Sequence, residues 1–394
     1  MNKRVLVLST LYPNATAPRF GTFVEASMKA LAATTDWQPV VINPIPAPPV
    51  ALGRYAALRE IAGTSGIEAG VEVHRPPFRM VPKFGARSNP VRISDAVLPL
   101  VRQLNEATPF SCVDAQFFWP DGPAAARIAS ALDLPLSIKA RGADIHYWGG
   151  KAFARDLMLQ AAGRAKGLLA VSDALREDMV AMGMERESIT LHQTGLDRDR
   201  FRPHDHDGLR RQLSEALGIA LPAAAPLLAS VGALIERKGQ RFVIDALPLL
   251  GDAHLVLVGE GADEAALRTQ VEQAELGDRV HFLGNVSHDI LPLILSAADV
   301  MVLPSSSEGL ANAWVEALAC GTPLVITDVG GARDVLSDPV SGEFAERDAD
   351  SIAKAVRKVL AREQDRTAVA QTVDRFSWSA NAAKLAAHYD ALTG

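Results

Sequence analysis

Cysteine is almost missing from this chain. Cys112 and Cys320 are the only two, far apart and each in an apolar stretch, so no disulfide framework is expected and a reducing, cytoplasmic setting is. Each reads as a small buried apolar residue. No apolar run approaches the roughly 18 residues of a membrane span, and the opening MNKRVLVLSTLYP turns polar at Ser9 and Thr10. It reads as a first buried strand rather than a secretory leader. An excess of positive charge is also missing. Forty Lys and Arg stand against 46 Asp and Glu, a net charge of −6, and neither half interleaves aromatic with basic residues, which argues against a nucleic-acid partner. The loop after RVLVLS lacks Gly-x-Gly-x-x-Gly, so a dinucleotide oxidoreductase is not expected.

What is present is ordinary globular material for two domains: 394 residues, 48% of them hydrophobic. Charge is uneven, with 23 basic against 19 acidic residues in 1–200 and 17 against 27 in 201–394. Apolar runs of strand length alternate with helical patterns in both halves, as in RVLVLS then GTFVEASMKALAA, or DVMVLPS then the helix ending ALA. That rhythm predicts α/β architecture, two Rossmann-like, doubly wound parallel sheets in tandem. The expected domains are 1–200 and 201–375, with a linker near 197–208, and FSWSANAAKLAAHYDAL (376–392) reads as a helix added after the second sheet. Ligands of such sheets sit beyond the carboxyl ends of strands at the point where strand order reverses, so two facing edges would form a cleft.

The stretch SSEGLANAWVEALACGTP places Glu308 in a loop after a strand and Glu316 in the following helix, with no Lys or Arg between them. Free amides at residues 309–312 would open that helix and suit a phosphate, while Glu316 could accept two hydrogen bonds from a vicinal diol such as a ribose. A helix cap and a solvated surface charge is the competing structural reading. SVGALIERKGQ puts Arg237 and Lys238 in another strand-to-helix turn, able to neutralise the same diphosphate. Asp144 and His146 in RGADIHYWGG follow a strand of the first sheet; they would contact the acceptor side, Asp144 as a catalytic candidate, or form a structural Asp–His pair.

VGALIERKG, LVGEG, VHFLGNV and DVMVLPSSSEGLANAWVEALACGTPLVITDVGG together resemble the donor half of retaining glycosyltransferases of the GT-B fold, family 4, whose Glu-x7-Glu signature matches Glu308 and Glu316. In the first half LYPNATAPRFGTFVEASMKAL, WPDGPAAA, RGADIHYWG and TGLDRDRFRP are similar to a branch that builds exopolysaccharides and other bacterial surface polysaccharides. The resemblance implies a nucleotide-sugar donor in the second domain, an acceptor in the first, and a C-terminal helix crossing back to the first domain. It implies that Glu316 holds the ribose, Lys238 the diphosphate and Glu308 a donor-sugar hydroxyl. Gly309, Leu310, Ala311 and Asn312 would offer amides, Gly284, Asn285 and Val286 would meet the base, Gly259 of LVGEG would line the donor site, and Gly21 would let the phosphate approach the backbone. Arg141 and His146 are acceptor-side candidates. The family's Gly-Arg is here Gly232-Ala233, so one expected phosphate cation is absent from its position; Gln116 and Thr194 depart from the usual His and Asn.

Fixed cations can replace a metal, and no metal or other cofactor is expected, the nucleotide-sugar being a substrate; DAD (348–350) and DHD (205–207) read as a helix start and a linker. Residues 74–94 carry five Lys/Arg, no acid, and Phe78 and Phe84. They read as an exposed loop that docks at the inner membrane leaflet and a polyprenyl-diphosphate acceptor, or as a solvated connection. Alternatives to a transferase are a catalytically silent nucleotide-sugar-binding subunit, which Ala233 favours, and an epimerase on the same fold.

Overall fold

The computed structural model describes residues 3–18, 20–48, 54–81, 85–205, 208–287, 289–363 and 365–394, with Arg54 by its backbone alone. Strands covered on both faces read as continuous apolar runs, and the stretches VLVL, VVI, LLASV and VMVL become strands whose residues are almost all buried. They belong to two compact units, Met1–Gly195 with Trp378–Gly394, and Leu196–Ser377. The chain passes between units at Gly195–Leu196, ahead of the expected boundary at 200, and at Ser377–Trp378, just past 375; Leu196 and Ser377 pair in an isolated parallel bridge.

The N-terminal unit has an eight-stranded sheet in the order Ile189–Leu191, Gly167–Ala170, Leu136–Ala140, Cys112–Ala115, Lys3–Leu8, Trp37–Ile42, Val71–His74 and Ser65–Glu68. All neighbours are parallel except the last pair. The other unit has six parallel strands in the order Val280–Gly284, His254–Val258, Leu227–Val231, Val300–Leu303, Leu324–Ile326 and Gly342–Phe344. Strand order reverses between Lys3–Leu8 and Cys112–Ala115 in the first sheet, and between Leu227–Val231 and Val300–Leu303 in the second. Those reversals are where a doubly wound sheet holds its ligand.

The expectation of a loop over 74–94 is corrected. Pro77–Arg79 forms a strand beside Ile45–Ala47, and Asn89 begins a 19-residue helix to Ala107, with Pro90 in its first turn, where its missing N–H costs nothing. Phe78 is buried at 5% exposure, and Arg75, also buried, pairs with Glu68; Phe84 lies outside the described residues. The short edge strand Ser65–Glu68 escaped the pattern because none of its residues is buried and it shows no apolar face.

The closing helix Trp378–Thr393 belongs to the N-terminal unit. Leu385, Tyr389 and Leu392 enter that unit's core beside Val5, Met28 and Trp37. Asn381 supplies the polar anchor: its Oδ1 accepts from Ser27 Oγ at 2.8 Å and its Nδ2 donates to the carbonyl of Gln193 at 2.6 Å. His192 Nε2 donates to the carbonyl of Asn381 at 3.0 Å, which leaves Nδ1 to accept from buried Lys139 at 2.6 Å. Burial first, and Lys139 second, hold His192 well below the ordinary imidazole range, so the ring is neutral in this pair. Trimming Asn381 leaves buried groups unpaired, at about 1–3 kcal/mol each. We expect Asn381→Ala to speed amide exchange throughout Trp378–Thr393 and lower the thermal midpoint while Leu227–Val231 keeps its protection; unchanged exchange in the helix would refute the anchor.

Candidate functional site

Both loops at the reversal of the second sheet carry charge. The turn after Leu227–Val231 contains Glu236–Lys238, and the loop after Val300–Leu303 contains Glu308. Residues 70 apart in the chain therefore meet: Lys238 Nζ lies 2.5 Å and an Arg237 guanidinium nitrogen 3.1 Å from the same Glu308 oxygen. Glu308 is 8% exposed, and its carboxyl is pushed up by burial but held below its ordinary value by Lys238 and then Arg237. The Lys238 stem lies within 3.6–3.7 Å of where a Gly232 side chain would begin. One carboxylate shared by two cations leaves a net positive charge, suited to a second anion. Arg237 thus reaches the site although it does not occupy the position of the family arginine replaced by Ala233.

Neighbouring loops hold this pair in register. Arg237 donates to the carbonyl of Ser307, the Ser306 amide donates to the carbonyl of Arg237 at 2.8 Å, and Arg347 bridges the carbonyls of Pro304 at 3.0 Å and Glu236 at 2.8 Å. Gly330 packs with positive φ against the Glu308 carbonyl so closely that a Cβ would collide with it, and the Gly331 amide donates to Gly309 at 2.7 Å. Sequence reading assigned no role to Arg347, Gly330 or Gly331; the VGG after Leu324–Ile326 was the available signal.

The helix opens at Asn312, not at Gly309, and runs to Ala319. Gly309, Leu310 and Ala311 thus precede it, and its free donors belong to the turn from Asn312 onward. Glu316 stands about one turn into the helix. Among the described residues its carboxylate has no hydrogen-bond or ion-pair partner, and burial raises it to about 7. Gly259 and Gly284 link the strand ends: the Gly232 amide donates to Val258 at 2.9 Å and the Gly259 amide to Gly284 at 2.8 Å. Asn285 is exposed and Val286 partly so.

The N-terminal candidates have other partners than expected. Both Asp144 oxygens accept backbone amides, from Phe118 at 2.9 Å, Arg141 at 3.0 Å, Gly142 at 2.9 Å and Ile145 at 3.1 Å. Buried and saturated in this way, Asp144 organises a loop and is not placed to do chemistry. His146 pairs with Asp178 at 2.9 Å, so the expected Asp144–His146 pair is corrected. Arg141 lies over Phe23 at 4.4 Å and binds the Gln116 side chain at 2.5 Å. The room beside Gly21 is taken by the Leu11 backbone, which a Cβ would strike. Close chain packing on that side therefore requires the glycine. Cys112 and Cys320 are free and buried. Asp348 caps the helix Ala349–Leu360 through the Ser351 amide; His206 and Asp207 of DHD lie outside the described residues.

An unpaired carboxylate held near 7 makes the ligand-free fold pH-sensitive. Between its ordinary value of 4.5 and about 7 the folded chain keeps a proton that the unfolded chain has released, so this group's contribution falls as pH rises across that window. Glu316→Gln should therefore raise the thermal midpoint at pH 8 and leave it nearly unchanged at pH 4.5. Equal shifts at both pH values would show that Glu316 is not the group concerned.

Two family descriptions match the chain: glycosyl transferase 4-like domain over residues 21–195 and glycosyl transferases group 1 over 218–375. A Bacillus subtilis glycosyltransferase assigned to teichuronic acid biosynthesis is 29% identical over 368 residues, 90% of this chain and 88% of its own length. D-inositol 3-phosphate glycosyltransferase of Geodermatophilus obscurus is 35% identical over 56% of this chain and 51% of its own. Among solved structures, sucrose-phosphate synthase of Thermosynechococcus elongatus superposes with a TM-score of 0.80 at 20% identity over 99% of both chains. HepE of Anabaena in complex with UDP and glucose gives 0.74 at 19% identity, over 99% of this chain and 100% of that one. At these identities the structural likeness is one of fold. The chain therefore carries the paired domains of a GT-B glycosyltransferase, a 4-like domain followed by a group 1 domain.

Proposed function

We propose that this glycosyltransferase moves a hexose from a UDP- or GDP-linked donor, with retention of configuration, to a saccharide or polyprenyl-diphosphate-linked saccharide in bacterial surface-polysaccharide assembly. The observation that carries the proposal is the Glu308–Lys238–Arg237 cluster at the strand-order reversal, with unpartnered Glu316 one turn into the adjoining helix. A positive site beside helix amides suits a diphosphate. A partnerless, partly buried carboxylate suits a diol, because accepting two hydroxyl protons would satisfy it. The teichuronic acid relative supports the polymer class; relatives and fold neighbours named for GDP-mannose and for UDP leave both bases open.

In this reading Glu316 holds the ribose, Lys238 and Arg237 the diphosphate, Glu308 a hydroxyl of the donor sugar, and Gly284, Asn285 and Val286 the base, with Gly259 beside them. No second carboxylate faces Glu308 among the described ion pairs, and Glu308 itself is spent on two cations, so it is ill suited as a nucleophile. We favour a front-face route. The bond from the sugar carbon to the diphosphate breaks, the acceptor oxygen bonds to the same face, and its proton passes to the departing phosphate oxygen. Charge growing on that oxygen is met by Lys238, Arg237 and the helix amides, each such donor being worth about 3–4 kcal/mol. Acceptor contacts fall to Arg141 and His146 in the N-terminal unit. No helix among the described residues is long and apolar enough to cross a membrane; peripheral contact with an inner leaflet would rest on Arg79 and Arg87, which are exposed.

Thermal unfolding with UDP, GDP, ADP or dTDP, each with and without EDTA, tests the donor site. A ligand at 100 times its Kd adds about 2.7 kcal/mol to the folded state. We expect one nucleotide to shift the midpoint regardless of EDTA; a shift abolished by EDTA would overturn the metal-free reading, and no shift with any nucleotide would overturn the donor site itself. Lys238→Ala should cut transfer about 10²–10³-fold, and Glu308→Gln should cut it as well. Unchanged turnover in either would remove these groups from the mechanism.

A further inference from the structure

One feature of the N-terminal unit has no part in the donor site. After strand Leu136–Ala140 the chain makes a single π-helical turn, Asp144–Trp148, in which the Gly149 amide reaches back five residues to the Asp144 carbonyl at 3.0 Å. Inserted turns of this kind are frequent at functional sites. Its consequence is local and visible: Tyr147 stands 61% exposed on the carboxyl side of the sheet, while Trp148 is folded underneath.

The exposed ring rests on a continuous aromatic stack. Tyr147 meets Trp148 edge-on at 5.1 Å between centroids, Trp148 meets Trp119 at 5.6 Å, and Trp119 meets Phe153 at 5.6 Å. Trp119 is 1% exposed, so the base of the stack is core. The saturated Asp144 carboxylate ties the Phe118 amide to this same turn. A large ring held out in water on such a base has already lost much of its rotamer freedom, which lowers the cost of binding. Lys151 Nζ lies over one face of the Tyr147 ring, 4.5 Å from its centroid, and 5.8 Å from the centroid of Trp148. Among the described residues Lys151 has no carboxylate partner; nearby Asp178 is engaged by His146.

Resting on the transferase reading, we propose that Tyr147, Trp148 and Lys151 form an acceptor platform for an acidic pyranose. The apolar C–H face of the sugar ring stacks on the face of Tyr147 opposite Lys151, and a carboxylate or phosphate substituent reaches past the ring edge to Lys151. The platform's position beyond the strand ends, where doubly wound sheets hold small ligands, favours a sugar over a lipid surface, for which an aromatic ring and a lysine would also serve.

Saturation-transfer NMR with the full chain, using methyl β-D-glucuronoside and methyl β-D-glucoside as probes, tests it. We expect the glucuronoside to bind at least about fivefold more tightly, the scale of one charge-assisted contact. Tyr147→Ala should abolish both signals, Tyr147→Phe should keep them, and Lys151→Gln should remove the preference alone. Equal binding of the two probes, or signals unaffected by Tyr147→Ala, would overturn the proposal. So would absence of glycoside binding combined with Tyr147-dependent sedimentation on phosphatidylglycerol vesicles. The nucleotide-dependent unfolding shift, measured on the same samples, separates the two readings: a normal shift without glycoside binding sinks the platform only.

Discussion

A carboxylate that is nearly buried must be paired, since removing its partner leaves an uncompensated charge that costs about 3–5 kcal/mol. Glu308 meets that demand with Lys238 and Arg237, and much of the second unit's architecture serves to bring them together. The partners come from two strands that lie side by side only because strand order reverses there. Arg347, Gly330 and Gly331 then fix the two loops at backbone level. Without a ligand the cations already have an anion to hold, yet one positive charge remains over. The site is thus ordered before binding while staying attractive to a phosphate.

The N-terminal unit uses a buried carboxylate differently. Asp144 accepts amides from two loops and joins the ends of Cys112–Ala115 and Leu136–Ala140. Its charge is met by dipoles instead of cations, a stable arrangement because each N–H would otherwise lack a partner. The terminal helix follows the same rule, with both the oxygen and the nitrogen of the Asn381 amide satisfied and Lys139 sharing one hydrogen bond with His192. Burial lowers both of them.

Long buried strands and the helices between them were legible because two-sided burial forces apolar runs. Glu308, Glu316, Arg237 and Lys238 were legible as charged groups of recognisable strand–turn–helix units, but the pairing of Glu308 with the two cations was not. Less was visible where burial was achieved by other means. The helix Asn89–Ala107 hid in a stretch whose basic and proline residues suggested a loop, although Phe78 and Arg75 there are buried. Asp144 looked chemically poised because sequence shows a carboxylate but not the four amides that occupy it. The packing of Gly21 against the Leu11 backbone was hidden because a glycine reports only that space is needed, not what fills it.

Composition and periodicity by themselves determined the two-domain α/β class, since a pattern of buried strands separated by amphipathic helices has few other solutions. Local motif spacing likewise marked which turns carry the charged groups. Only the tertiary structure decided which charges meet, because strand order, not chain distance, sets neighbours at a sheet edge. It also decided that Glu316 is left without a partner, that Asp144 is saturated, and that a π-helical turn lifts Tyr147 into solvent. Each of these depends on hydrogen bonds and packing between segments that are distant in the chain or, for the turn, on one inserted residue that no apolar period records.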